Sequence, residues 1–182
     1  MQSNSIQLFE NLMSPQKDIR ENAEKSLEQL KQLPIAQSLP VFAEGMSSNV
    51  ENIFQLSTLL FKKTFCDDSK KLEALSPEDK SILINLIKSK IDFAGGKSWK
   101  SLQRLAEALA PLYQVTNLSN GFVDILKWFE DQANALSRKF AIFTIEVLCT
   151  LNAINESVLD PGAINNFKGI FSKGLEDPDI DV

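Results

Sequence analysis

The sequence predicts an all-α chain, an α-solenoid of antiparallel helix pairs stacked as a right-handed superhelix. Three observations predict it. Apolar residues recur every three or four positions almost throughout, and almost nowhere with the period of two expected of strands. Helix-starting and helix-breaking residues punctuate these stripes at short intervals. The longer helix of each pair recurs at a spacing of about 35 to 47 residues.

The stripes come first. Ile19, Ala23, Leu27 and Leu30 form one; Ile53, Leu56 and Leu60, with Leu59 alongside, form the second. Leu102, Leu105, Leu109 and Leu112 form the third, and Ala141, Ile145 and Leu148 the fourth. An isolated amphipathic helix is marginal in water, so each stripe needs a neighbour to cover it.

The boundaries come next. Ser14-Pro15, Ser76-Pro77-Glu78-Asp79, Asp160-Pro161 and Asp177-Pro178 each place a capping side chain before a proline suited to the first helical turn. Leu33-Pro34 separates two helices with almost no linker, and Gly95-Gly96 is a turn signal. Helices are expected over 4–13, 16–32, 35–47, 50–65, 78–93, 98–114, 120–131, 134–152 and 163–175. This makes four pairs and the first helix of a fifth, whose second helix would open at Asp177-Pro178-Asp179-Ile180. Residues 1–182 are therefore expected to be part of a longer HEAT-type array. A single closed helical bundle, serving as an enzyme accessory domain, is the competing architecture.

Composition narrows the function. The chain has 182 residues and no histidine, which removes Ser-His and Cys-His nucleophiles and histidine metal ligands. The adjacent acids Glu78 with Asp79, and Asp177 with Asp179, are explained by the positive ends of helices. An interaction protein is expected, with no catalytic residues, no cofactor and no metal. Gly95-Gly96-Lys97-Ser98 lacks the leading glycine and the preceding strand of a phosphate-binding loop. The net charge of −5 disfavours nucleic acid. No apolar run reaches the roughly 20 residues of a membrane span. Residues Met1 to Glu10 lack signal-peptide order. The two cysteines are far apart, so a cytosolic or nuclear protein is expected, and Asn117 and Asn155 are chance glycosylation matches.

Individual side chains have packing readings. Trp99 and Trp128 are expected in helix–helix seams. Cys66 and Cys149 are expected as small buried hydrophobes. Phe122, Phe129, Phe140 and Phe143 are expected to pack one pair on the next. Lys62 and Lys63 suit the negative end of a helix, or an acidic partner, and Lys70 and Lys71 suit a loop.

A resemblance adds to this reading. Leu12, Met13, Ser14, Pro15, Arg20, Ala23, Glu24, Leu27 and Leu30, within Leu8 to Leu30, match the opening of the importin-beta (karyopherin-beta) family of nuclear transport receptors, and its karyopherin beta-3 branch above all. Gln55, Leu60, Lys62 and Lys63 continue the match. Leu105-Ala106-Glu107-Ala108-Leu109-Ala110 and Ser137-Arg138-Lys139 are similar to the family's third and fourth pairs. Phe122-Val123-Asp124-Ile125-Leu126 departs from the family's Trp-Pro-Glu-Leu-Leu, and the third pair's basic cluster is thinned to Lys97, Lys100 and Arg104. The resemblance implies that residues 1–182 are the amino-terminal HEAT-repeat array, the Ran-GTP-binding region, of a protein import carrier that shuttles between cytoplasm and nucleus. It implies three partners: the GTPase Ran in its GTP state, cargo proteins with basic signals, and phenylalanine-glycine nucleoporins. Carried onto this chain, the Ran-facing residues are Arg20, Glu24, Lys62, Lys63, Gln103 and Arg138. A HEAT scaffold of the phosphatase-regulatory or vesicle-trafficking type, without affinity for Ran, is the alternative.

Overall fold

A computed structural model describes residues 4–116, 118–131, 133–151 and 153, with seven further positions from 162 to 176. Among the described residues ten helices follow one another and no strand occurs. They are α1 (Asn4–Leu12), α2 (Lys17–Lys31), α3 (Ile35–Gly45), α4 (Glu51–Phe65), α5 (Ser69–Ala74), α6 (Pro77–Lys88), α7 (Ile91–Gly95), α8 (Trp99–Val115), α9 (Leu118–Glu130) and α10 (Ala135–Thr150). The helices pack on one another throughout, as expected of an all-α chain. No helix among the described residues is long and apolar enough to cross a membrane. The helix expected over 163–175 lies, apart from isolated positions, outside the described residues, as do Asn117, Asn155, Asp160-Pro161 and Asp177-Pro178.

Capping chemistry explains most boundaries. Ser76 Oγ accepts the Asp79 N–H at 3.0 Å and donates to the Asp79 carboxylate at 2.8 Å, with Pro77 in the first turn of α6. Asn134 Oδ1 accepts from the Leu136 and Ser137 amides at the start of α10. Ser14-Pro15 behaves differently from expectation. Helix α2 begins two residues beyond Pro15, and Ser14 Oγ accepts the Gln16 N–H in a local turn. The segment expected as one helix over 78–93 is two, α6 and α7, divided at Ser89-Lys90. There Lys90 Nζ reaches Ser47 Oγ at 2.7 Å, tying the break to the turn after α3. Lys70 and Lys71, expected in a loop, lie in α5, where Asp68 Oδ1 accepts both of their backbone amides.

The core centres on α8, which touches α4, α5, α6, α7, α9 and α10. Its stripe Leu102, Leu105, Leu109 and Leu112 is buried as expected, together with Ala106, Ala108 and Ala110. Ala141, Ile145 and Leu148 of α10 are likewise buried. The α4 stripe is rotated from the one expected. Ile53, Phe54, Ser57, Thr58 and Phe61 are buried, whereas Leu56, Leu59 and Leu60 are only half-buried. Small hydroxyl residues suit the inner face because both Ser57 and Thr58 donate to the Phe54 carbonyl, at 2.9 and 2.8 Å. At the amino-terminal end Phe9, Phe42, Phe61 and Phe65 form a run of ring contacts 5.2 to 6.3 Å apart.

Helices α4, α8 and α10 lie side by side and run the same way. Glu51, which opens α4, bonds to Ser98 just ahead of α8, and Gly95 sits against Leu136 at the start of α10. At the far ends Lys62 and Cys66 share a cleft with Pro111, Gln114, Thr150 and Leu151. The chain returns between them through α6–α7 and through α9.

Truncating Leu105, fully buried in α8, is expected to cost about 2–5 kcal/mol. Gly45→Ala would push a methyl into the Phe9 ring and to 2.6 Å from Ser57 Cβ, costing about 1–3 kcal/mol. Urea midpoints of Leu105→Ala and Gly45→Ala, compared with the parent chain, check both.

Candidate protein-docking face

The carboxyl ends of α4 and α10, with α5 and one face of α8 from Gln103 to Val115, line a cleft of about 400 Å³. Lys62 and Gln103 line it, with Asp67, Glu107, Gln114 and Glu146 as its other polar walls. Leu72, Val115, Val147 and Leu151 supply the apolar lining. Lys62 Nζ lies 3.2 Å from Asp67 Oδ1, and Arg104 Nη1 lies 2.8 Å from Glu107 Oε2. Pro111 lacks the N–H that would bond the Glu107 carbonyl one turn earlier, so that carbonyl is released beside the cleft. The result is a mixed-charge recess between helices, suited to polar side chains of a protein partner.

The six residues carried over from the resemblance separate into three groups. Lys62 and Gln103 meet at the cleft, and Lys63 is exposed beside Lys62 in the last turn of α4. Half-buried Arg20 and exposed Glu24 form a pair on α2, 3.9 Å apart, with Arg20 Nη1 also donating to the Ser14 carbonyl at 3.2 Å. Helix α2 packs on α1, and neither residue lines the cleft. Arg138 is different in kind. It is 5% exposed, and its Nη1 donates to the Asp131 carbonyl at 3.1 Å. A buried guanidinium engaged in holding the turn before α10 is not presented to a partner, so Arg138 leaves the set.

Two other expectations are corrected. Trp99 is not in a seam: it is 55% exposed at the start of α8. Trp128 does pack as expected, edge-on to Phe140 at 5.1 Å. Cys149 is exposed, while Cys66 is buried and lines the cleft. Burial pushes the Cys66 thiol well above its ordinary range, so it stays protonated and unreactive. Sequence reasoning missed Glu107, Gln114 and Glu146. The polar stripe of α8 was readable at helical spacing, but the helix that would face it was not.

The opposite ends of α4 and α8 are held by one carboxylate. Glu51 Oε1 accepts from the Ser98 amide at 3.1 Å, the Ser98 hydroxyl, the Ser101 hydroxyl at 3.3 Å and Gln55 Nε2 at 2.8 Å. It stands at the positive ends of two helices at once. Nearby Lys97 donates to the Asn49 carbonyl at 3.1 Å, its ammonium 4.5 Å from the Phe93 ring centroid. Farther along, Asp124 of α9 accepts from Lys88 and from the Tyr113 hydroxyl, both at 2.8 Å. These polar contacts set the register of α4 on α8 and of α9 on α6 and α8.

Comparison with family models, with curated proteins and with solved structures found no match.

The hydrogen bonds from Ser98 hold the Glu51 carboxyl below its usual 4.5. A depressed folded value means that Glu51 stabilises the fold above the unfolded value and ceases to do so as pH falls through the folded one. Glu51→Gln is therefore expected to melt below the parent chain at pH 7, with the difference shrinking as pH is lowered beneath 4.5. Thermal melts across that range check it.

Proposed function

We propose that this chain is a HEAT-type interaction array, the amino-terminal part of an importin-beta-type nuclear transport receptor, and that its α4–α8–α10 face binds Ran in the GTP state. The observation that carries the reading is the parallel run of α4, α8 and α10, with the chain returning through α5–α7 between the first two and through α9 between the last two. Stacked pairs of this kind leave a continuous wall of second helices open to a protein partner. Lys62, Lys63 and Gln103 lie on or beside that wall, and the first two come from the segment whose residues resemble the family most closely.

In this reading Ran-GTP contacts the carboxyl ends of the second helices, with Lys62 and Lys63 meeting acidic groups of the GTPase. Arg20 and Glu24 on α2 extend the contact toward the amino-terminal end. Cargo with basic signals and phenylalanine-glycine nucleoporins are engaged on other surfaces, and the receptor shuttles between cytoplasm and nucleus. Coupling between Ran and cargo is then a free-energy linkage between sites on one array.

Titration of the chain with Ran-GTP and Ran-GDP tests the proposal, which requires saturable binding to the GTP form and much weaker binding to the GDP form. Reversing both charges, Lys62→Glu with Lys63→Glu, is expected to weaken Ran-GTP binding by roughly tenfold, about 1.4 kcal/mol, while the circular-dichroism spectrum at the assay temperature stays that of the folded chain. Unchanged affinity would remove these two lysines. Indifference to both nucleotide states would leave a HEAT scaffold of the phosphatase-regulatory or trafficking type.

A further inference from the structure

We infer that Ser14 is a phosphorylation site for a proline-directed protein kinase, and that the phosphate it receives is held by the Arg20 guanidinium. The sequence contains two Ser-Pro pairs, Ser14-Pro15 and Ser76-Pro77. The proline fixes φ and removes an N–H, which is the feature such kinases read, and an acidic substrate cleft favours a base three residues after the serine. Only the first pair has that base. Lys17 completes Ser14-Pro15-Gln16-Lys17, whereas Ser76-Pro77-Glu78-Asp79 is acidic at the same position. Residues 13–16 lie between α1 and α2, outside either helix. Met13, Pro15, Gln16 and Lys17 are exposed and Ser14 is half-buried. Helix α2 begins without a side-chain cap, so its first turn opens at little cost when the segment extends into a kinase cleft.

The two serines differ in how their surroundings take added charge. Ser14 Oγ accepts the Gln16 N–H at 3.2 Å, and Arg20 Nη1 donates to the Ser14 carbonyl at 3.2 Å. The guanidinium therefore stands within one side-chain length of the hydroxyl. Transfer of the γ-phosphoryl group of ATP forms the Oγ–P bond, releases ADP and gives up the hydroxyl proton. The new group carries a charge of about −1.5 to −2 at pH 7 and three strong acceptor oxygens. The planar fork of Arg20 can meet two of them, in place of its 3.9 Å pairing with Glu24. Glu10, Lys17 and Asp18 are the other charged residues within four positions of Ser14, one acid in excess, which Arg20 balances. At Ser76 the opposite holds. Ser76 is the more exposed serine, but its Oγ already accepts the Asp79 N–H at 3.0 Å and donates to the Asp79 carboxylate at 2.8 Å. A phosphate there would lose that donor and face two carboxylates, while Lys80 is engaged with the Glu73 carbonyl at 2.9 Å. The inference stands on the α1–α2 turn and does not use the Ran reading.

Incubation of the folded chain with a cyclin-dependent kinase and ATP, followed by mass spectrometry of its peptides, tests the site. One phosphate is expected, at Ser14. Its incorporation is expected to fall at least tenfold in Pro15→Ala or Lys17→Glu and to vanish in Ser14→Ala, while Ser76→Ala is labelled like the parent. Phosphorus NMR of the modified chain tests the clamp. Arg20 is expected to hold the second ionisation of the phosphate below the value of about 6 of an unpaired phosphoserine, and Arg20→Gln to restore it. Each protein is also melted before and after labelling. The parent is expected to gain about 1–3 °C, and Arg20→Gln to gain nothing. No phosphate at Ser14 of the folded chain, equal labelling of Ser76, or an ionisation and a melt indifferent to Arg20→Gln would each overturn the inference.

Discussion

Helix α8 must be covered on more than half of its circumference. Nine of its residues are buried, among them Leu102, Leu105, Leu109 and Leu112 on one stripe and Ala106, Ala108 and Ala110 beside it. The leucines supply the apolar area that drives packing, and the alanines let neighbouring helices approach closely. Every helix from α4 onward, α5 and the short α7 included, packs against α8. The arrangement of the candidate faces follows from that one requirement, since the positions of α4 and α10 are fixed by the surface they have to cover.

Polar contacts then choose among the ways those helices might slide. Hydrophobic burial is non-directional, so it tolerates shifts along a helix axis that hydrogen bonds do not. The Glu51–Ser98 contact pins the starts of α4 and α8, and Asp124 joins Lys88 to Tyr113 across three helices. In α4 and α10, three buried hydroxyl groups are returned to the backbone: Ser57 and Thr58 to Phe54, and Thr144 to Phe140. Among the described residues no buried side-chain nitrogen or oxygen lacks a partner. Such a core has a single register, and a single register is what holds a docking surface in one shape.

The same helices expose two chemically different patches. Trp99 at the start of α8 meets Phe143 midway along α10 with Lys100 beside it, whereas the cleft from Gln103 onward carries carboxylates, amides and the Lys62–Asp67 pair around an apolar floor. A surface with unlike patches suits partners that bind through extended or multipoint contacts.

Periodicity, caps and prolines in the sequence by themselves determined that the chain is helical, where most helices lie, and which stripes of α8 and α10 are apolar. These are local properties, decided within a turn or two of each residue. Tertiary structure alone decided the rest. The α4 face turned from Leu56 and Leu60 to Ser57 and Thr58 because its neighbours approach closely there, which a count of hydrophobic residues does not register. Arg138 went inside to hold a backbone carbonyl, and Trp99 came out, because the helix beside each was set by residues far away in the chain. Lys62 and Gln103 became neighbours across 41 positions for the same reason: a helix's own sequence specifies its apolar side but not the partner that will cover it.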